Sequence, residues 1–177
     1  MVIKLSARAV FSVIALLCTV LLATAYQLQY GTQHQQPCPL CILQRYAYMS
    51  IAIVALIGVL HGPRRTTGMI YNTIIALIAS TGASFAIWQL SKGDTMQSCL
   101  ADPVGTFVNT LPSANWWPEY LFATGGCADK YPPILGITLA AWSLIWFGLL
   151  AAFSTALMIK AARARRADGG INLKGNR

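Results

Sequence analysis

Four apolar runs, covering residues 9–28, 41–60, 68–90 and 135–159, alternate along the chain with short polar joints and one long polar stretch. Each run has the roughly 20 apolar residues that a helix needs to cross a hydrocarbon core. Three of the four hold no charged residue, and the second holds one, Arg45, within its first turns. The pattern predicts an all-α membrane protein, a bundle of four transmembrane helices. Its joints are a segment over 29–40, a tight turn over 61–65 and a long loop over 91–134 between the third and fourth helices, with a basic tail over 160–177. No internal repeat, low-complexity tract or linker divides the chain, so residues 1–177 read as a single integral membrane domain.

Composition points the same way. Hydrophobic residues make up 56% of the 177 and charged residues 10%, against about 25% charged in soluble domains. So few charges cannot cover a water-exposed surface, which excludes an ordinary soluble domain, a disordered chain and a coiled coil. The net charge of +8 does not mark a nucleic-acid module. Its basic residues sit at the chain ends and in one turn, with no basic face interleaved with aromatics.

The charges instead set orientation, because cytoplasmic flanks collect Lys and Arg. Lys4, Arg8, Arg64, Arg65 and the basic residues of the tail fall on one side, while the long loop holds only Lys92 and Lys130 against Asp94, Asp102, Glu119 and Asp129. Both termini are therefore expected in the cytoplasm and the long loop outside. The first run also resembles a secretory signal, with a basic start and Ala23-Thr24-Ala25 as a small-residue site, but its apolar residues continue to Leu28. The other three spans keep their orientation on either reading. The small residues between Ala79 and Ala86 suit close helix packing, and Trp116, Trp117, Tyr120, Leu121 and Phe122 are expected at the membrane surface.

Position sorts the five cysteines. Cys18 lies mid-span and reads as a small buried hydrophobe. Cys38 and Cys41 form Cys-Pro-Leu-Cys at the outer mouth of the second span, and Cys99 and Cys127 lie in the outer loop. Disulfides persist in an oxidising compartment. Closing a four-residue ring stabilises a fold by only about 2 kcal/mol, against about 3.6 kcal/mol for a ring of about 29 residues. The short pair is thus better read as an exchangeable dithiol than as a staple. The loop pair is open to a structural reading, and a zinc site of four thiolates needs a second Cys-x-x-Cys that the chain lacks.

Arg45 sharpens the picture. It lies four residues after Cys41, on the same helix face, and a charge inside a span is by default a functional residue. The competing reading is a guanidinium snorkelling to the interface. Cys41 also lies at a helix N-terminus, where the macrodipole favours an anion, so a thiolate is supported from both directions. The acceptor such a thiolate meets in a membrane is a lipid-soluble quinone, whose developing negative charge Arg45 is placed to stabilise.

The run Cys38-Pro39-Leu40-Cys41-Ile42-Leu43-Gln44-Arg45, the later Cys99 and Cys127, and the segment from Trp117-Pro118 to Gly125-Gly126-Cys127-Ala128 closely resemble the DsbB family of bacterial disulfide bond formation proteins, up to about Lys160. The resemblance implies a relay. A periplasmic DsbA-like protein of thioredoxin fold attacks the Cys99–Cys127 disulfide and is held on Cys99. An interloop bond between Cys127 and Cys38 then frees Cys41, which donates to ubiquinone or menaquinone beside Arg45. It places the chain in the bacterial inner membrane with its active cysteines on the periplasmic side. Some members carry an acid in the first span, which is absent here, so no proton-handling role of that kind transfers; His34 is the alternative near the dithiol, and a loop histidine is more often simply solvated. Gln44, Trp88 and Gln89 fall near the outer mouth, with helix faces that spacing does not fix. The competing functions are a specialised relative serving a dedicated partner and a non-catalytic scaffold with two structural disulfides.

Overall fold

Ser6 opens the first helix, α1 (Ala7–Tyr30), by accepting a hydrogen bond from the Ala9 amide at 3.3 Å, an N-cap that satisfies one of the free donors of the first turn. These details come from a computed structural model, which describes residues 6–31, 36–63, 65–92, 103–125 and 133–174. Pro39 occupies the first turn of α2 (Pro39–His61), where its missing N–H costs nothing. The helix stops at Gly62, whose left-handed φ of 54° glycine adopts without strain. There a side chain would also run into the Arg8 guanidinium. The helix α3 (Arg65–Lys92) returns across the bundle.

Three short helices follow, α4 (Pro103–Thr110), α5 (Pro112–Trp116) and α6 (Pro118–Leu121), each beginning at a proline. The last and longest helix is α7 (Leu139–Lys174). No strand occurs among the described residues; a single antiparallel bridge joins Ile134 to Ile137.

Among the described residues, four helices are long and apolar enough to cross a membrane: Ala7–Tyr30, Pro39–His61, Thr66–Ser91 and Leu139–Arg165. At about 1.5 Å per residue, even the shortest spans about 35 Å. The outer surface of this bundle is apolar, as lipid demands: Leu60 is 82% exposed, Leu16 65% and Leu77 64%.

The structure departs from the sequence expectation in three places. The apolar run at 135–159 does not start its helix at 135. Leu135 and Gly136 take positive φ in a turn, so α7 begins at Leu139, and the Trp142 indole secures the turn by donating to the Ile134 carbonyl at 3.1 Å. Residues 29–40 are less of a loop than expected, since α1 continues to Tyr30 and α2 starts at Pro39. The basic tail continues the last helix, since α7 runs through it to Lys174.

Packing is most extensive between α3 and α7, followed by α1 with α2 and α2 with α3, while α1 and α7 meet only marginally. The core between these helices holds Phe11, Ile14, Cys18, Ile51, Ile75 and Phe147. Cys18 is fully buried in it. The small residues of α3 serve the α3/α7 contact. Ala79 and Ala86 are fully buried, and at Gly82 an added Cβ would stand 2.5 Å from the Phe147 ring.

That ring cannot yield easily, because it is fully buried and stacked on Tyr48 at 4.1 Å with an interplanar angle of 10°. Gly82→Ala is therefore expected to destabilise the bundle by about 1–3 kcal/mol, the usual cost of overpacking. Denaturation of the detergent-solubilised protein measures this as a lowered unfolding midpoint.

Candidate functional site: a dithiol at a cavity between helices

Cys38 is the N-cap of α2. Its backbone is extended (φ −80°, ψ 160°) and its sulfur accepts from the Cys41 amide at 3.3 Å. Pro39 then fixes the first helical φ, and the Ile42 amide bonds back to the Cys38 carbonyl at 3.1 Å. The Cys-Pro-Leu-Cys run thus builds its own helix start, and the cap brings the two sulfurs to 2.8 Å as a hydrogen-bonded pair of free thiols. Cys38 is 1% exposed. Its hydrogen bond to the Cys41 sulfur, and after that its burial, hold the Cys38 thiol well above the ordinary thiol range. Cys38 is therefore the thiol that keeps its proton, at an N-terminus whose dipole favours negative charge on the pair.

Arg45, one turn further along α2, is 8% exposed. A buried guanidinium must find acceptors. It donates to the Gln29 carboxamide oxygen at 2.7 Å and to the Tyr120 carbonyl at 2.6 Å, and its plane lies 4.6 Å from the centroid of the Tyr120 ring. The snorkelling alternative is thereby replaced by a fixed, capped cation. Sequence spacing had put Arg45 close enough to reach the Cys41 sulfur; among the described residues its hydrogen bonds go to α1 and to the outer segment instead.

Tyr120 was expected among the surface aromatics, yet it is 5% exposed and Leu121 is buried beside it, while Trp116 and Trp117 are exposed. Burial pushes the Tyr120 phenol up, with Arg45 opposing, so it stays a hydroxyl and donates to the Leu22 carbonyl at 2.8 Å. Residues 29 and 120 lie far from Arg45 in sequence, and no local pattern marks them as its partners.

A cavity of about 200 Å³ opens beside the dithiol, and Cys41, Gln44 and Arg45 line it. Leu21, Ala25 and Leu28 of α1 form one wall and Leu139, Trp142 and Trp146 of α7 another, so it occupies the seam where those two helices barely meet. Its lining is mainly apolar, with Thr24, Gln44, Arg45, Tyr48, Gln89 and Ser143 as the polar members. Gln89 of α3 reaches the dithiol, donating to Cys41 at 3.3 Å and to Cys38 at 3.5 Å. Spacing had left the face of Gln89 open; the fold turns it toward the sulfurs.

On the outer side, the segment after α6 is pinned to the stretch before Cys38. The Thr124 and Gly125 amides both donate to the Pro37 carbonyl at 3.1 Å. The Asn109 carboxamide brackets Ala123, donating to its carbonyl at 3.1 Å and accepting from its amide at 2.9 Å. Gly125 is required by this close approach, since a Cβ there would stand 2.3 Å from the Gln36 carbonyl oxygen. Cys99, Cys127 and His34 lie outside the described residues.

A four-helix membrane bundle with a Cys-x-x-Cys pair capping one span, beside an apolar cavity, defines a membrane protein of thiol–disulfide exchange. Comparison with known proteins agrees. The family model "Disulfide bond formation protein DsbB" matches residues 7–157. The chain is 37% identical over 149 residues to disulfide bond formation protein B of Herminiimonas arsenicoxydans, covering 84% of this chain and 92% of that one. The protein of the same name from Burkholderia pseudomallei is 40% identical over 149 residues, covering 81% of this chain and 85% of its own. That from Ralstonia nicotianae is 34% identical over 159 residues, covering 89% and 98%. The chain belongs to the DsbB family. It is a multi-pass membrane protein of disulfide bond formation, with the role of a disulfide oxidoreductase.

The bracket on Ala123 gives a direct check of the outer segment. Asn109→Ala removes both hydrogen bonds, and amide exchange at Ala123, Thr124 and Gly125 is expected to accelerate by about tenfold or more, at roughly 1 kcal/mol per lost bond. Hydrogen–deuterium exchange read by mass spectrometry on that peptide measures it.

Proposed function

We propose that this protein reoxidises a periplasmic DsbA-like dithiol protein by disulfide exchange and passes the electrons to ubiquinone or menaquinone in the bacterial inner membrane. The observation that carries the reading is the placement of Cys41 and Arg45 on one wall of an apolar cavity set between α1 and α7. The lining fits a quinone with a prenyl tail: Leu21, Leu28, Trp142 and Trp146 would hold the tail, and Gln44 and Arg45 would supply polar groups for the ring. The weak α1/α7 seam gives such a molecule a route in from the lipid. When bound, a quinone would supply an acceptor for two electrons and two protons.

The remaining steps belong to cysteines. The partner's thiolate attacks the Cys99–Cys127 disulfide and bonds to Cys99, releasing Cys127. Cys127 attacks Cys38, which breaks the Cys38–Cys41 disulfide, forms the interloop bond and frees Cys41 as a thiolate. The partner's second thiol displaces Cys99 and closes the partner's own disulfide. Cys99 then recaptures Cys127, and Cys38 is released. Cys38 and Cys41 give up two electrons and re-form their bond. Each turnover thus converts one partner dithiol to a disulfide and leaves the four cysteines as they began. Every exchange is a thiolate attack on a disulfide sulfur.

Two features support the exchange between the loops. Cys127 follows Gly125 by two residues and Cys38 follows Pro37 directly, and Thr124 and Gly125 are hydrogen-bonded to the Pro37 carbonyl. Arg45, held by Gln29 and Tyr120, offers a fixed positive charge where negative charge develops at the acceptor, without reorganisation during the reaction.

Cys41→Ser is expected to abolish quinone reduction by a reduced thioredoxin-fold partner, while Arg45→Ala raises KM for quinone by about tenfold or more, the scale of one lost charge-assisted hydrogen bond. Anaerobic spectrophotometry of quinone in detergent micelles measures both. Undiminished turnover in the Cys41→Ser protein contradicts the assignment.

A further inference from the structure

A carboxamide is two-faced: it offers an acceptor oxygen and a donor NH2 of nearly the same shape. Beside a dithiol the choice matters, because an oxygen accepts from a thiol and favours the protonated form, whereas an NH2 group donates to sulfur and favours the thiolate. At Gln89 the choice is made by a second carboxamide. The Gln44 side chain donates to the Gln89 oxygen at 2.8 Å, which turns the Gln89 NH2 onto Cys41 at 3.3 Å and Cys38 at 3.5 Å.

Gln44 is 4% exposed, and one turn of helix separates it from the dithiol it serves. Both side chains line the same cavity as Cys41. The hydrogen bonds shown for Arg45 run from Nη1 to Gln29 and Tyr120, and among the described residues the side-chain nitrogen that donates to the sulfurs is that of Gln89.

We propose that Gln89 is a catalytic residue that stabilises the Cys41 thiolate by direct hydrogen bonding, and that Gln44 is the positioning residue that keeps the Gln89 donor face on the sulfurs. When Cys38 is engaged elsewhere, Cys41 loses its nearest hydrogen-bond partner, and the Gln89 amide remains to hold the negative charge. The inference rests on Cys41 being the electron-donating sulfur, but its test needs neither quinone nor partner.

The test is the alkylation rate of Cys41 by iodoacetamide in the full-length, reduced Cys38→Ala protein, purified in detergent without quinone and read by mass spectrometry of the Cys41 peptide. At pH 7, Gln89→Leu and Gln89→Glu are each expected to slow alkylation by about tenfold, the scale of a hydrogen bond to a charged group, and Gln44→Leu by about threefold. Gln89→Glu keeps the shape of the side chain, so it reports even where Gln89→Leu does not fold. At pH 10, where the thiol ionises without help, the differences are expected to vanish; a side chain that merely shapes access would slow the reaction equally at both pH values. Rates at pH 7 within twofold of the parent, or the same slowing at pH 10, overturn the proposal. Failure of the unaltered protein to reduce quinone, with these alkylation results intact, would count against the quinone reading and leave the role of Gln89 standing.

Discussion

A guanidinium inside a bundle of apolar helices has to be given acceptors, and at the outer end of this protein that single requirement organises the structure. Arg45 projects from α2, but its partners come from α1 through Gln29 and from the outer segment through Tyr120. The Tyr120 ring also covers the cation, and its hydroxyl reaches the Leu22 carbonyl of α1. One charge therefore ties together two membrane helices and the outer segment at the dithiol end of the bundle. Removing it would cost more than a charge, since the buried acceptors would lose their donor as well.

Around that anchor, sites are made by what each helix end leaves exposed. The N-terminus of α2 offers unpaired amides and a positive dipole end, and the chain fills it with a sulfur, not with the usual Ser, Thr, Asp or Asn. The cap is thus part of the dithiol itself. Where α1 and α7 fail to close against each other, the cavity remains beside Cys41. Tight packing elsewhere, with Gly82 against Phe147 and Phe147 on Tyr48, gives this opening a rigid frame.

Much of this was legible in the sequence because lipid imposes long, nearly charge-free runs. The four spans, the exposed tryptophans and the lone intramembrane charge all follow from that constraint. The place of Cys38-Pro39-Leu40-Cys41 at the mouth of the second span was legible as well, since the apolar run begins there. What escaped were contacts made across the fold. Gln29 and Tyr120 lie 16 and 75 residues from Arg45, and the orientation of Gln89 depends on how α3 packs on α2. Tyr120 looked like its neighbours Trp116 and Trp117 in composition, and only the buried cation distinguishes it. The start of α7 was misplaced because Leu135 is apolar in a turn, and hydrophobicity alone does not reveal a positive φ.

The account stands or falls on where a quinone meets this bundle. Photo-cross-linking with an azido-substituted ubiquinone analogue in membranes, with labelled peptides mapped by mass spectrometry, tests it most directly. The account predicts labelling of residues 21–28 of α1, 139–146 of α7 and the start of α2 around Cys41, competed away by excess ubiquinone. Competable labelling confined to the opposite end of the bundle, near the turn between α2 and α3, would contradict it.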